Sequence, residues 1–439
     1  MRRILHYSLL ALFCLAGSSA WAQTFTQGNL RYTVTNATAK TVSVARANDG
    51  ISGAIVIPSS VTYSNVTYTV TSVAEYGFQN TGISAMTIPA SVEKIGFYAF
   101  QGTQSLTKLT IQDSATPIEF VTGYNLSFGT SRKELYIGRD INRTGDYAGE
   151  RLLEMAEKVT IGPKVTTIPN NLLSGQDYMH TLVIGDGVKT IGEDAFRGDR
   201  YGTPELSVTF GANVESIGAR AFQNSFALKS ITLPSKLKTI GSNAFDGTYI
   251  SSITIPASVT DIEQYAFYSC GQLTSINFED SDEPVNFVTG YARSFGSSNK
   301  EVYIGRDINR TGDYFNEHMF DNVTKVTFGP KVTAIPNNFM SGQDRMHTLI
   351  IGDGVKTIGD DAFAGDRYGE PELSVTMGAN VESIGARAFQ TCFALKSITL
   401  PSKLKTIGSQ HLKSPKSHPS LSPLRSQTLS TTLSEAADS

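Results

Sequence analysis

The chain has 439 residues, of which 40% are hydrophobic and 18% charged, and its formal net charge is −3. This composition excludes a wholly disordered chain, and 37 basic against 40 acidic residues exclude a general binder of phosphate backbones, which needs a basic surface. Three cysteines are too few for a disulfide framework at this length.

Arg2 and Arg3 open the chain, Ile4 to Gly17 is largely apolar, and Ala20-Trp21-Ala22 puts small residues just before Gln23. A charged end, a short apolar core and an A-x-A site form the pattern of a secretory signal peptide, so residues 1–22 are expected to be removed, and Trp21, the single tryptophan, with them. The apolar stretch falls short of the ~20 residues that span a bilayer. No later segment is long and apolar enough, so the mature chain is expected to lack a transmembrane segment. Phe13 and the apolar residues after Cys14 argue against lipid attachment at that cysteine.

Beyond the leader the sequence repeats. Ser230-Ile231-Thr232-Leu233-Pro234, Ser252-Ile253-Thr254-Ile255-Pro256 and Ser397-Ile398-Thr399-Leu400-Pro401 are versions of one motif, each followed by Val/Leu-x-x-Ile. The last strand position recurs at Ile57, Ile88, Ile111, Ile137, Ile161, Ile184, Phe210, Leu233, Ile255, Phe278, Ile304, Phe328, Ile351, Met377 and Leu400, 22 to 26 residues apart after a first gap of 31. A closing aromatic or aliphatic position forms a second ladder: Phe78, Phe100, Phe128, Leu153, Leu173, Phe196, Phe222, Phe245, Phe267, Phe295, Phe320, Met340, Phe363 and Phe389.

Two ladders at one period in the low twenties define a solenoid in the leucine-rich-repeat range. One turn cannot bury its own apolar residues, but stacked turns bury them against their neighbours. Ile231, Leu233, Leu237, Ile240 and Phe245 then make one layer of a continuous core. Alternation in Ser230-Ile231-Thr232-Leu233 predicts a strand, which Pro234 ends. Gly241 suits a tight bend, and Ala244-Phe245 predicts a short helical turn. The expected fold is a β-rich solenoid, leucine-rich-repeat-like, of about 15 stacked turns over residues 23–409, roughly 70 Å long at ~4.8 Å per turn.

A larger duplication lies on top. Residues 117–241 match 284–408 at a constant offset of 167, and Gly138 to Tyr147 reappears unchanged as Gly305 to Tyr314.

The run from Ser252 to Cys270, and Tyr68-Thr69-Val70-Thr71-Ser72-Val73 near the start, resemble the BspA-like leucine-rich-repeat surface proteins of Bacteroides-type bacteria. The resemblance covers roughly residues 24–408. It implies secretion or display on the outer-membrane exterior, and adhesion to host or bacterial proteins; a glycan-binding or purely structural surface coat is the alternative. It brings no catalytic residue.

Residue chemistry points the same way. The histidines are His6, His180, His318, His347, His411 and His418. They form no H-E-x-x-H and no close Cys/His pair, and the sequence holds no G-x-S-x-G elbow or P-loop. No enzyme, cofactor or metal site is expected, and no nucleic-acid partner. Asp140-x-Asn142-x-Thr144-x-Asp146 and its copy at Asp307 to Asp313 resemble the first half of a calcium loop. The twelfth position, however, holds Arg151 and His318 in place of Glu, and a turn fixed by Asx hydrogen bonds is the preferred reading. Cys270 and Cys392 sit three residues after Phe267 and Phe389, where other turns carry Thr103, Asp199, Ser225 and Thr248. This reads as a tolerant loop position holding two free thiols.

Candidate contact residues fall in two places. The outward strand positions carry Thr160, Thr209, Thr232, Thr254, Thr327, Thr376 and Thr399, interrupted by Tyr136 and Tyr303 and by Glu134, Glu301, Lys158 and Lys325. Tyrosine on an exposed sheet offers area with a polar tip. Arg200, Tyr201, Arg367 and Tyr368 lie in loops that lengthen two turns, and both residue types are common at binding hot spots.

The repeat stops after Ile407-Gly408-Ser409. Residues 410–439 read either as a disordered tail or as repeat translated out of frame. Codons built from the third base of one residue and the first two of the next can turn Gln410-His411-Leu412 into Ala-Phe. The same shift can turn His418 to Ser434 into Thr-Ser-Ile-Thr-Leu-Pro-Ser-Ser-Val-Thr-Asn-Ile-x-Asp-Asn-Ala-Phe.

Overall fold

The computed structural model describes residues 23–409 apart from 122–127, 130, 145–152, 154, 199–203, 289–294, 312–318, 366–371, 393 and 396. The leader and the 410–439 segment therefore lie outside the described residues. The fold is a right-through stack of β-rich turns, about 14 in all, and each turn has three walls.

The first wall is built by alternation. In Ser252–Ile255 the side chains of Ile253 and Ile255 are buried and those of Ser252 and Thr254 are exposed, because successive strand residues face opposite sides. Parallel pairing joins these rungs into a seven-stranded sheet from Ser52–Val56 to Ser207–Thr209 and a six-stranded sheet from Ser252–Ile255 to Ser374–Thr376. Strands end where the spacing places them, at Ile88, Ile111, Ile137, Ile161, Ile184, Ile255, Phe278, Ile304, Phe328 and Ile351.

One rung departs from expectation. Ser230 to Leu233 is not a strand: Leu233 is buried, but Ile231 is only half-buried and the ladder breaks there into two sheets. The identical Ser397 to Leu400 is also strandless. Both follow a three-residue strand, Ser207–Thr209 and its copy Ser374–Thr376, so the preceding rung stops pairing before the alternating segment can extend it.

The second wall consists of two-residue strands such as Thr190–Ile191, Ser216–Ile217, Thr239–Ile240 and Asp261–Ile262, paired in parallel with every isoleucine in register. At the corner that follows, a Cβ on Gly241 would sit 2.6 Å from the Ala219 nitrogen and 2.7 Å from the Gly218 carbonyl carbon. Successive turns approach too closely there for a side chain.

The third wall corrects the expected helical turn: the described residues contain no helix. Asn243 adopts φ 55 and Gly247 φ 71. The N–H groups of Asn243, Phe245 and Gly247 donate to the carbonyls of Gln264, Ala266 and Tyr268 in the next turn at 3.1, 2.8 and 2.9 Å. The N–H groups between them, on Ala244 and Asp246, fold back onto Gly241 and Asn243. A helix would spend every N–H along its own axis, and the wall needs every second one for its neighbour. Left-handed residues recur at the equivalent place in other turns, at Tyr76, Tyr98, Asn171, Asp194, Arg220, Tyr265, Asn338, Asp361 and Arg387.

Inside, the closing position forms a column of rings. Phe222–Phe245 and Phe245–Phe267 stack at 5.5 and 5.4 Å with interplanar angles of 3° and 8°. The ring spacing follows the turn spacing, and each contact adds ~0.5–1.5 kcal/mol beyond area burial. An antiparallel meander of Thr24–Gln27, Leu30–Asn36 and Thr41–Arg46 closes the amino-terminal end, with Phe25 stacked on Tyr63 at 4.3 Å over buried Tyr32.

Candidate protein-contact surface

The repeated Gly138 to Tyr147 motif turns out to be internal fastening. Arg139 is fully buried, and its guanidinium donates to the carbonyls of Pro89, Ala90 and Val92 at 2.6, 2.9 and 2.9 Å. Arg306 repeats this on Pro256, Ala257 and Val259. Each arginine thus ties its own turn to one two repeats earlier.

Asp140 accepts the Thr166 and Thr167 N–H groups at 2.7 and 3.1 Å and the Thr166 hydroxyl at 2.6 Å; Asp307 does the same for Thr333 and Ala334. Asn142 and Thr144 belong to the strand Ile141–Thr144, and Asp146 lies outside the described residues. A strand cannot wrap its oxygens around an ion, and the one well-placed carboxylate already caps backbone. The expected Asx turn is corrected as well: Asp140 bonds no backbone of its own turn but caps that of the next one, at Thr166 and Thr167. Among the described residues no three His, Cys, Asp or Glu side chains gather as a metal site.

The position three residues after the closing Phe is not the tolerant loop expected from sequence. Thr103 and Thr248 are 0% exposed, and Ser225 and Cys270 are buried too. Thr103 donates to the Phe100 carbonyl at 2.7 Å and Thr248 to that of Phe245 at 2.9 Å. Cys270 and Cys392 donate to the previous turn's Phe245 and Phe363 at 3.2 and 2.9 Å. Gln176 and Gln343 hold the place elsewhere and reach the carbonyls of Leu153 and Phe320 at 2.8 and 2.9 Å. In these turns the side chain serves a buried carbonyl that would otherwise go unpaired, whereas buried Ala156 and Val323 fill the same place without a donor. Both cysteines are free thiols, as expected, and burial pushes Cys270 up to about 12.

Of the candidate contact residues, Tyr136 and Tyr303 stand in the outward rows in register with Thr110 and Thr160, and with Asn277 and Thr327. They are half-buried and pinned. Their hydroxyls donate to Asp113 and Asp280 at 2.8 and 2.7 Å. Partial burial and that carboxylate push each phenol up to about 12. Lys325 and Glu301 pair at 3.3 Å along the same face. Arg200, Tyr201, Arg367 and Tyr368 lie outside the described residues. At the base of the first of these loops, Arg197, Leu206, Phe226 and Ala227 line a shallow depression.

The sequence reading missed a more open aromatic surface on the third wall. Tyr76 is 42% exposed and meets Phe97 edge-on at 6.0 Å and Tyr98 at 5.8 Å. Further along, Tyr249 is 42% and Tyr268 40% exposed; they contact Phe226 at 5.1 Å and Tyr265 at 5.7 Å. The signal was present: Tyr76, Tyr98 and Tyr265 each stand two residues before a closing Phe. That place turns outward only because it is left-handed, at φ 53, 50 and 61. Such backbone is uncommon for bulky residues, so the wall holds these rings out against a local preference.

The two duplicated blocks differ inside, where buried Leu153, Ile161, Leu172 and Leu173 stand opposite Phe320, Phe328, Phe339 and Met340, and they differ outside. Arg132 lies 3.8 Å over the Tyr178 ring; at the copied positions Arg345 instead donates to Asn299 at 3.1 Å.

Against known proteins, the model of the BspA type leucine rich repeat region matches in six copies over residues 71–203, 201–318, 284–369 and 368–422. Among curated proteins none is similar to this chain. Among solved structures, a leucine-rich repeat protein from Bacteroides ovatus is 23% identical with a TM-score of 0.38, covering 88% of this chain and 90% of its own. A leucine rich cell surface protein from Faecalibacterium prausnitzii is 22% identical with a TM-score of 0.31, at 88% and 85% coverage. The pneumococcal vaccine antigen PcpA is 15% identical with a TM-score of 0.30, at 88% and 99%. With its family model spanning most of the stacked turns, the chain belongs to the BspA-type leucine-rich-repeat family.

Proposed function

We propose that this protein is secreted or surface-displayed and works by adhesion, binding host or bacterial proteins without catalysis. The observation that carries this reading is the outward aromatic surface on the third wall. The core is already filled by the Phe column, and Tyr76, Tyr249 and Tyr268 lie outside it, packed on other outer-wall rings and open to solvent. Exposed Tyr with a polar tip is a favoured contact type at protein interfaces. The Arg200/Tyr201 and Arg367/Tyr368 loops are the second proposed contact set.

The exposed tyrosines also favour a second reading, in which they act as stacking platforms for a glycan. One experiment covers both. Purified protein is tested for binding to panels of extracellular-matrix proteins and of glycans. Three variants follow: Tyr76→Ser with Tyr98→Ser, Tyr249→Ser with Tyr268→Ser, and Ala at Arg200, Tyr201, Arg367 and Tyr368. A true hot-spot set costs at least ~1–2 kcal/mol of affinity with the fold intact. Binding that survives all three variants removes the third wall and the loops as the site.

A further inference from the structure

Residues 397–409 repeat residues 230–242 letter for letter, yet the two copies sit in opposite surroundings. Leu237 and Ile240 are fully buried, whereas Leu404 and Ile407 are half-exposed. Leu233 is 6% exposed and Leu400 is 38%. The outer copy is nonetheless a formed turn: Thr406–Ile407 pairs with Ser383–Ile384. Arg387 N–H donates to the Ser409 carbonyl at 3.0 Å, just as Arg220 N–H does to Ser242 at 2.8 Å.

What separates the copies is the next turn. In the inner copy Thr260 N–H and Glu263 N–H donate to the carbonyls of Lys238 and Ile240 at 2.9 Å each. The amino-terminal end of the solenoid is closed by its meander, whereas at the other end no turn follows Ser409 among the described residues. A solenoid needs a cap there.

We propose that this open end is covered by one more turn of the same repeat, encoded over residues 410–439 in the frame that begins on the third base of each codon. In that frame each codon takes its last two bases from the first two of a residue's own codon, which are single-valued except at Ser, Leu and Arg, and its first base from the third base of the residue before. The 167-residue offset of the duplication supplies the register with nothing adjustable.

A Phe codon across His411 and Leu412 falls 167 positions after Phe245. From there the match runs without a gap. Ser414-Pro415 can encode Thr, where Thr248 stands, and Lys416-Ser417 can encode Ile, where Ile250 stands. His418 to Pro423 gives Ser-Ile-Thr-Ile/Leu-Pro for Ser252 to Pro256. Leu424 to Leu429 gives Ser-Val-Thr-Asp/Asn-Ile for Ser258 to Ile262. Thr432 to Ser434 gives Ala-Phe for Ala266-Phe267, and Ala436-Ala437 can encode Cys for Cys270. Across the 29 positions 244–272, one consistent choice of codons reproduces the residue at 24 of them. The reproduced set includes both buried donors of the third wall, Thr248 and Cys270. It also includes Thr260 and Glu263, whose N–H groups close the inner copy.

Sequencing the gene across these codons tests the register. The expected nucleotides read Ala-Phe, then Ser-Ile-Thr-x-Pro, then Ala-Phe in the shifted frame; bases that break those codons, or a stop among them, overturn the proposal. A second measurement tests the covering. Hydrogen exchange is compared between the full chain and the chain carrying the restored frame. Amides of residues 397–407 are expected to exchange about tenfold more slowly in the restored chain, and dye binding to exposed apolar surface to fall. Equal exchange in the two chains overturns the covering turn.

Discussion

The thiol of Cys270 lies 3.2 Å from the carbonyl oxygen of Phe245 and donates to it beside the Thr248 hydroxyl, which bonds the same oxygen at 2.9 Å. Two turns therefore converge on one buried acceptor. Burial raises the thiol from its ordinary 9.0 to about 12, so Cys270 keeps its proton and is a poor nucleophile. Native protein is expected to resist thiol reagents at Cys270 and to label there only on unfolding. Rapid labelling of Cys270 in the native state would contradict the buried geometry.

The same shifts fix a pH dependence. A group whose folded value is raised keeps its proton longer in the folded than in the unfolded chain, so the folded state loses ground as pH rises between the two values. For Cys270 that window runs from 9.0 to about 12, and for Tyr136 and Tyr303 from 10.0 to about 12. The midpoint of thermal unfolding is expected to be flat below pH ~9 from these groups and to fall above it. Tyr136→Phe with Tyr303→Phe should shallow the fall. A slope unchanged by the double variant would mean that the hydrogen bonds to Asp113 and Asp280 do not matter in solution.

Much of this architecture is legible in the sequence, because strand alternation and the Phe column are periodic: Ile255 ends its strand and Phe245 stacks where spacing alone puts them. What is not legible depends on where backbone hydrogen bonds go. Ala244-Phe245 looks like helix until the wall is seen to send alternate N–H groups to the next turn. Thr248 and Cys270 look interchangeable with any loop residue until the carbonyl they serve is located. Arg139 looks like part of a polar loop, since nothing in Gly-Arg-Asp says that the side chain runs inward across two turns. Ser230 to Leu233 alternates as well as Ser252 to Ile255, and only the short preceding strand distinguishes them.

Arg139 supplies the sharpest stability test. Arg139→Ala leaves the Pro89, Ala90 and Val92 carbonyls buried without their donor and opens a void. The expected cost is about 3–5 kcal/mol in urea unfolding. Arg139→Lys should recover only part, because an ammonium lacks the planar fork that serves three carbonyls at once. A loss under ~1 kcal/mol for the alanine variant would show that water replaces the guanidinium.

The Phe column tolerates shape better than absence. Phe245→Ala removes a fully buried ring stacked on both sides and is expected to cost about 3–5 kcal/mol. Phe245→Leu should cost less than ~1.5 kcal/mol, because Leu153 and Leu173 already fill the same rung in other turns and are fully buried there. If leucine proves as damaging as alanine, the stacking of flat rings rather than the filling of volume sets stability.

Asp140 separates a capping turn from a calcium site. Its carboxylate accepts three hydrogen bonds from Thr166 and Thr167, much as a helix cap does. Asp140→Ala is therefore expected to lower stability by about 0.5–2 kcal/mol with or without calcium. A bound ion would add stability in proportion to the logarithm of its concentration over its dissociation constant, and only to the folded state. Millimolar calcium is expected to leave the unfolding midpoint of the parent chain within ~1 °C of its value in chelator. The Asp307 copy gives an internal control, since its carboxylate holds Thr333 and Ala334 in the same way. A calcium-dependent rise in the parent that disappears in a variant carrying both Asp140→Ala and Asp307→Ala would overturn the capping account, because backbone hydrogen bonds to a carboxylate give no such concentration dependence.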